Sequence, residues 1–231
     1  GSMAVQSIDT NTAANLTATA FTRTGYTFAG WNTTADGTGI SYADGISYTM
    51  TDAANVTLYA QWTAINYTVT FDANGGSGTM SGQSIAYEAS ANLTANSFTR
   101  AGYSFTGWNT AADGSVSAYA DGANYTMTAA ADVTLYAQWV LVPTISAGGS
   151  LTFCEGENVV LTSSSATGNQ WYKGGALIAN AIYETYTATE TGVYTVKVTT
   201  AGVESAASAG TGVTVNPIPA TPSISAASAT T

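Results

Sequence analysis

Apolar and polar residues alternate along much of this chain. In Tyr67–Asp72 (YTVTFD), Tyr67, Val69 and Phe71 share one face while Thr68, Thr70 and Asp72 share the other. In Val56–Trp62 (VTLYAQW), Val56, Leu58, Ala60 and Trp62 line up in the same way. A period of two is that of a half-buried strand. The pairs Asp36-Gly37, Asp44-Gly45, Asp113-Gly114 and Asp121-Gly122 interrupt these runs as turn signals. A single short turn near Ala89–Leu93 is the only helical candidate, so the expected class is mainly β.

The pattern also recurs. FTRTGYTFAGWNTTADG (Phe21–Gly37) returns as FTRAGYSFTGWNTAADG (Phe98–Gly114), 77 residues on. The register holds without a gap from Met3 over Met80 to Trp62 over Trp139, with about two-thirds of positions identical. The second copy is preceded by INYTVTFDANGGSGT (Ile65–Thr79), which has no counterpart before the first. The first copy is therefore read as truncated, with a sheet edge that either frays or borrows a strand.

A different arrangement begins near Val142. Asn158–Ser163 reads as a strand, Asn169–Lys173 places Trp171 mid-strand, and TETGVYTVKV (Thr189–Val198) turns into a strand with Tyr194, Val196 and Val198 alternating. That is the layout of an immunoglobulin-like sandwich. Trp171 would be its core aromatic, Tyr194 a tyrosine corner, and Leu161 and Val196 an apolar pair where antibody domains carry a disulfide. PTISAGGSLT (Pro143–Thr152) resembles PSISAASATT (Pro222–Thr231), which suggests the first strand of a further module. The expected organisation is a truncated repeat over 3–63, a complete repeat over 64–140, a sandwich over 141–217, and a Pro-rich joint plus a new strand over 218–231.

Composition narrows the function. Only 8% of the 231 residues are charged, the net charge is -10, and the basic residues are Arg23, Arg100, Lys173 and Lys197. A surface so poor in Lys and Arg is unsuited to nucleic acid. The acids are sorted: every Asp precedes residue 133, and every Glu except Glu88 follows residue 154, which again marks a change of module. Cys154 is the only cysteine, so no intrachain disulfide can form. No apolar run reaches the roughly 20 residues of a membrane span, and no membrane insertion of this stretch is expected. Gly1-Ser2 has the look of a cloning remnant, so the chain is read as an excised piece.

With the motifs in hand, YTVTFDANGG, FTRAGYSFTGWNTAADG, YADGANYTM and VTLYAQW together resemble the Listeria–Bacteroides repeat, a family that includes the B-repeats of the internalin surface proteins. The resemblance covers nearly all of 65–140 and most of 3–63. It implies two tandem β-grasp-like repeats, the first truncated, in an extracellular, cell-surface protein. FCEGENVVLTSSSATGNQWYKGG through YTATETGVYTVKV is similar to immunoglobulin-like modules of very large Bacteroidetes surface proteins. Those often carry a second Cys after the last long strand, where this chain has Ala201-Gly202-Val203. Together the modules resemble a segment of a giant adhesin of the type used in surface attachment or gliding motility.

Candidate chemistry is sparse. With no His in the chain, a Ser-His-Asp triad and a His metal site are excluded. A lone Cys without His is a poor nucleophile, and no enzymatic role is expected. Arg23 and Arg100, at equivalent positions, are the candidate ligand-binding residues: they either grip a carboxylate or sugar acid, or serve the fold by stacking on Tyr26 and Tyr103 or on Trp31 and Trp108, or by pairing with a local Asp. Calcium is the one candidate cofactor, held by Asp36 and Asp44 and by Asp113 and Asp121 across their loops. The Trp and Tyr residues read as core, with Trp62 and Trp139 packed, against a rival reading as sugar platforms. An isopeptide crosslink could involve only Lys173 or Lys197. The expected function is a structural spacer whose partners are neighbouring modules. The alternative is direct binding of a surface polysaccharide or protein, stabilised by calcium.

Overall fold

The computed structural model describes residues 1–51 and 54–219, and all regular structure within them is β-strand. The chain divides into two compact units. One is built from Gly1–Asn74, Gly78–Phe98 and Gly107–Ala137; the other is built from Gly75–Ser77, Thr99–Thr106 and the chain from Gln138 onward. Residues 220–231, most of the expected joint and further strand, lie outside the described residues.

The first repeat contains β1 (Ala13–Asn15), β2 (Tyr26–Asn32), β3 (Ser41–Tyr42), β4 (Ser47–Thr49) and β5 (Tyr59–Ala64). The second contains β6 (Asn66–Asp72), β7 (Gln83–Ala86), β8 (Ser90–Asn92), β9 (Tyr103–Asn109), β10 (Ala118–Tyr119), β11 (Asn124–Thr126) and β12 (Val133–Leu141). Strands at the 77-residue offset match: β2 with β9, β3 with β10, and the β1–β4 pair with β8–β11. The stretch near Ala89–Leu93 is therefore not helical. Ser90–Asn92 pairs antiparallel with Asn124–Thr126, because a cross-strand ladder satisfies more of its backbone than one isolated helical turn would.

The alternation in Tyr67–Asp72 orders the second repeat's main sheet as β10-β9-β12-β6-β7. Val133–Tyr136 runs parallel to Val69–Asp72, and Asn66–Val69 runs antiparallel to Gln83–Ala86. Val69 and Phe71 thus enter the core beside Trp108 and Leu135, all four buried. In the first repeat the matching main sheet is the three-stranded β3-β2-β5, beside the β1–β4 pair. Without a β6, the residues that would flank it, Gln6–Asp9 and Val56–Leu58, are not in strands. Fewer neighbours also leave more of its core open: Leu58 is half-buried where Leu135 is fully enclosed.

The Gly-Trp step is set by close approach. Gly30 and Gly107 have φ of 133° and 140°, and a Cβ on either would lie 2.7 Å from a carbonyl oxygen, that of Tyr42 or Tyr119. At Gly30 the register with β5 shifts, a β-bulge that turns Trp31 into the core. The Asn that follows is buried too. Asn32 Nδ2 donates to the Gly37 and Gly39 carbonyls while its Oδ1 accepts from the amides of Thr34 and Gly39. Asn109 fastens the matching loop of the second repeat through Gly114, Ala111 and Val116.

The C-terminal part has two sheets. β13 (Ile145–Ala147), β15 (Val159–Ser163) and β18 (Thr185–Ala188) form one, in the order β13-β15-β18. The other runs β14 (Thr152–Cys154), β21 (Thr211–Asn216), β19 (Gly192–Thr200), β16 (Asn169–Lys173) and β17 (Ala176–Leu177), with β20 (Val203–Glu204) pairing β19. Alternate residues of both sheets meet in one core of Phe153, Val159, Leu161, Trp171, Ala188, Tyr194, Val196 and Val213. Leu161 and Val196 are fully buried there, and the Tyr194 hydroxyl donates to the Glu190 carbonyl at 2.8 Å. Cys154 is free and exposed.

Candidate functional site

Arg23 and Arg100 each sit at the start of a tight turn closed by the amide of Tyr26 or Tyr103 donating back to the Arg carbonyl, at 3.0 Å in both cases. The turn folds the side chain back over the ring. The guanidinium carbon lies 3.7 Å from the Tyr26 ring centre and 3.9 Å from that of Tyr103, close enough for cation–π attraction. Between Arg and Tyr stands a glycine with positive φ, Gly25 or Gly102, whose carbonyl accepts from the first residue past its repeat's last strand: Ile65 N–H at 2.9 Å or Val142 N–H at 2.8 Å. The Arg-x-Gly-Tyr corner is thus where each repeat holds the outgoing chain.

In the first repeat this corner also grips the second. The Tyr26 hydroxyl donates to a Glu88 carboxylate oxygen at 2.5 Å, and Arg23 lies 4.0 Å from the same oxygen. Tyr87 stacks edge-on against Tyr26 at 5.6 Å and covers Gly25, where a Cβ would come within 2.3 Å of its ring. The link is relayed by the Tyr87 amide donating to the Ile65 carbonyl. Glu88 raises the Tyr26 phenol above its ordinary value, chiefly through this hydrogen bond. Both members of the ion pair are about half exposed, so the pair alone is weak; the stacked ring and buried glycine carry the joint. Arg100 has no carboxylate within ion-pair distance among the described residues.

Sequence reasoning singled out the two arginines and missed Glu88 and Tyr87. The available signal was the exception in the sorted acids: Glu88 is the one Glu before residue 154, and its counterpart is Asn11. Both positions have left-handed backbone, with φ of 63° and 62°, which projects this side chain from the tip of a turn.

The four aspartates are placed separately. Asp36 accepts from the amide and hydroxyl of Thr38, and Asp113 does the same with Ser115. The nearby Thr34 hydroxyl and then Thr38 for Asp36, and Ser115 for Asp113, lower both carboxyls below their usual value. Asp44 accepts instead from the Thr19 amide and the Trp31 indole, and Asp121 from the Asn96 amide. Each carboxylate thus closes a loop of its own repeat. Among the described residues no three acidic or cysteine side chains converge in a way that could hold a metal ion.

The aromatic residues mostly face inward. Trp31, Trp108 and Trp171 are buried, and the Trp171 indole donates to the Tyr183 carbonyl at 2.9 Å. Trp62 and Trp139 are half-buried rather than enclosed, each edge-on to a Phe of its own sheet, Phe28 or Phe105, at 5.6 Å. Lys173 and Lys197 pair with Glu190 and Glu204. No helix among the described residues is long and apolar enough to cross a membrane.

About half of the chain has sequence relatives among bacterial proteins. A Gly-rich membrane protein of Evansella cellulosilytica is 41% identical over 124 residues, which is 51% of this chain and 14% of that protein. Internalin H of Listeria monocytogenes is 36% identical over 126 residues, 52% of this chain and 20% of its own length. The chain therefore spans a fifth or less of these relatives. The Listeria-Bacteroides repeat domain matches residues 1–61 and 67–138, which takes in both copies of the Arg-x-Gly-Tyr corner and more than half of the sequence. This chain belongs to the Listeria-Bacteroides repeat domain family.

Proposed function

We propose that this chain is a structural spacer segment of a large bacterial surface protein, extracellular and non-enzymatic, whose principal partners are its own neighbouring modules. The observation that carries this reading is the use made of its few charged and aromatic groups. Arg23, Tyr26, Tyr87 and Glu88 join one repeat to the next, and the aspartates close turns. The names of the relatives, a membrane protein and an internalin, support a surface location.

The finer architecture follows the same reading. The second repeat is β-grasp-like in its mixed sheet, with the parallel pair β6 and β12 at the centre and β9 and β7 outside them. The C-terminal part is immunoglobulin-like. Supporting features are its two facing sheets, the enclosed Trp171, the Tyr194 corner, and β14 running parallel to β21. Within a giant adhesin such modules hold a binding tip away from the cell, for attachment or gliding.

The rival reading is direct recognition of a surface glycan or protein. It draws on Tyr183 and Ile182, 72% and 55% exposed on the C-terminal module. A glycan array and a surface-retention assay on the intact chain decide between them. A spacer gives no saturable binding; saturable binding lost on Tyr183→Ala overturns the spacer reading.

A further inference from the structure

Three of the four basic residues of this chain have an acidic partner. Arg23 lies 4.0 Å from Glu88, and Lys173 and Lys197 pair with Glu190 and Glu204. Arg100 has none among the described residues. Its side chain is nonetheless held in place. The guanidinium carbon is 3.9 Å from the centre of the Tyr103 ring, and a Cβ at Gly75 would lie 3.6 Å from the same atom. Arg100 and Tyr103 are both half-buried. A guanidinium carries five N–H donors and no acceptor. Among the described residues none of those of Arg100, nor the Tyr103 hydroxyl, has a hydrogen-bond partner. A fixed, half-buried cation with open donors favours an anion.

The first repeat shows what such a corner accepts. Both turns close at 3.0 Å, Gly25 and Gly102 have φ of 77° and 75°, and the two guanidinium groups stack at 3.7 and 3.9 Å. On the first corner the Glu88 carboxylate takes the Tyr26 hydroxyl and faces Arg23, while the Tyr87 ring seals Gly25. On the second, that face is bare. Gly102 is exposed, and a Cβ added to it would meet nothing within 4 Å. No ring packs against Tyr103 among the described residues. The C-terminal part comes near, with the Ala206 amide donating to Ser104 Oγ at 3.2 Å, but brings neither a carboxylate nor a ring to the corner.

We infer that the Arg100–Tyr103 corner is a binding site for a carboxylate carried next to an aromatic ring. Its ligand is an acidic peptide in which an aromatic residue precedes a glutamate, the pair that Tyr87 and Glu88 present to the first corner. The carboxylate accepts from the Tyr103 hydroxyl and the Arg100 guanidinium, and the ring lies on Gly102, edge-on to Tyr103. Glycine admits the ring: a Cβ at Gly25 would come within 2.3 Å of the Tyr87 ring. Little has to reorganise on binding, because the stacked guanidinium is already oriented. Contacts this exposed are worth little singly, so the affinity is in the millimolar range. A peptide is favoured over a sugar acid because the occupant of the twin corner brings a planar ring, which a sugar lacks. The inference is independent of the spacer reading, since a spacer and a binding module could each carry this site.

The test uses the intact chain and a synthetic peptide of residues 84–91, SIAYEASA. Backbone amide shifts are followed by NMR at Arg100–Tyr103 and, as an internal reference, at Arg23–Tyr26. The expected result is saturable shifts at Arg100–Tyr103, with a millimolar midpoint. A Glu88→Gln peptide should bind about tenfold more weakly. Arg100→Gln in the chain should abolish saturation while the rest of the spectrum stays unchanged. No shift at peptide concentrations about tenfold above that midpoint overturns the inference, as does equal binding of the Glu88→Gln peptide, a control that needs no folded variant. Equal shifts at Arg23–Tyr26 overturn it too, since that corner is already filled. Glucuronate is the last arm: shifts as large as the peptide's at the same concentration overturn the peptide as ligand in favour of a sugar acid.

Discussion

The Tyr26 hydroxyl donates to the Glu88 carboxylate across 62 residues of sequence, at 2.5 Å. The bond ties one repeat to the next, and its titration follows from the geometry. An anionic acceptor favours the protonated phenol, so the Tyr26 pKa lies above 10.0. A group whose folded pKa is raised adds stability that is complete below the unfolded value and is lost as pH climbs through the folded one. The chain should therefore weaken at the repeat junction above about pH 10. Tyr26→Phe should be less stable at neutral pH and should show a shallower alkaline loss. Denaturant unfolding at pH 7 and near pH 11, comparing the two proteins, checks this; identical alkaline slopes would refute it.

The turn carboxylates act at the other end of the scale. Asp36 and Asp113 are held below the usual 3.8 by hydroxyl and amide donors in their own turns. A depressed carboxyl contributes stability above its unfolded pKa and loses it as pH falls through the folded value. Acid unfolding should accordingly be blunted in an Asp36→Asn, Asp113→Asn double variant, at the cost of lower stability at pH 7. A steeper acid limb in the variant would contradict the assignment.

Calcium should leave the chain unmoved. Asp44 and Asp121 accept from the amides of Thr19 and Asn96, and Asp36 and Asp113 accept from Thr38 and Ser115, each in its own loop. Among the described residues no three acidic or cysteine side chains converge, so a cation would gain too few ligands at any one of them. Melting curves in millimolar calcium and in chelator are expected to superimpose. A rise of several degrees with calcium would restore the metal-site reading of the four aspartates.

Gly107→Ala should cost about 2 kcal/mol or more, because the new Cβ meets a fixed carbonyl in a backbone region closed to side chains. That carbonyl is Tyr119 O, 2.7 Å from the Cβ position. Gly122→Ala is the control: φ is also positive, at 64°, but nothing lies within 4 Å, and about 1 kcal/mol is expected. Equal losses in a chemical-denaturation comparison would show that close approach to Tyr119 is unimportant.

Much of this was legible in the residues themselves. Alternation in YTVTFD and VTLYAQW placed strands, and the 77-residue offset paired Trp31 with Trp108 before any contact was known. The Gly-x-Tyr spacing of TETGVYTVKV announced the Tyr194 corner. These features are local: a period of two and a left-handed glycine depend on the chain within a few residues. Ser90–Asn92 was harder, since a three-residue strand carries no period of its own and is made by its partner at Asn124–Thr126.

The sequence by itself determined the class, the repeat and its family, because side-chain alternation and turn chemistry are written residue by residue. Only the tertiary structure decided what Arg23 does, for Tyr26, Tyr87 and Glu88 come together through a sheet that ends one repeat and a turn that opens the next.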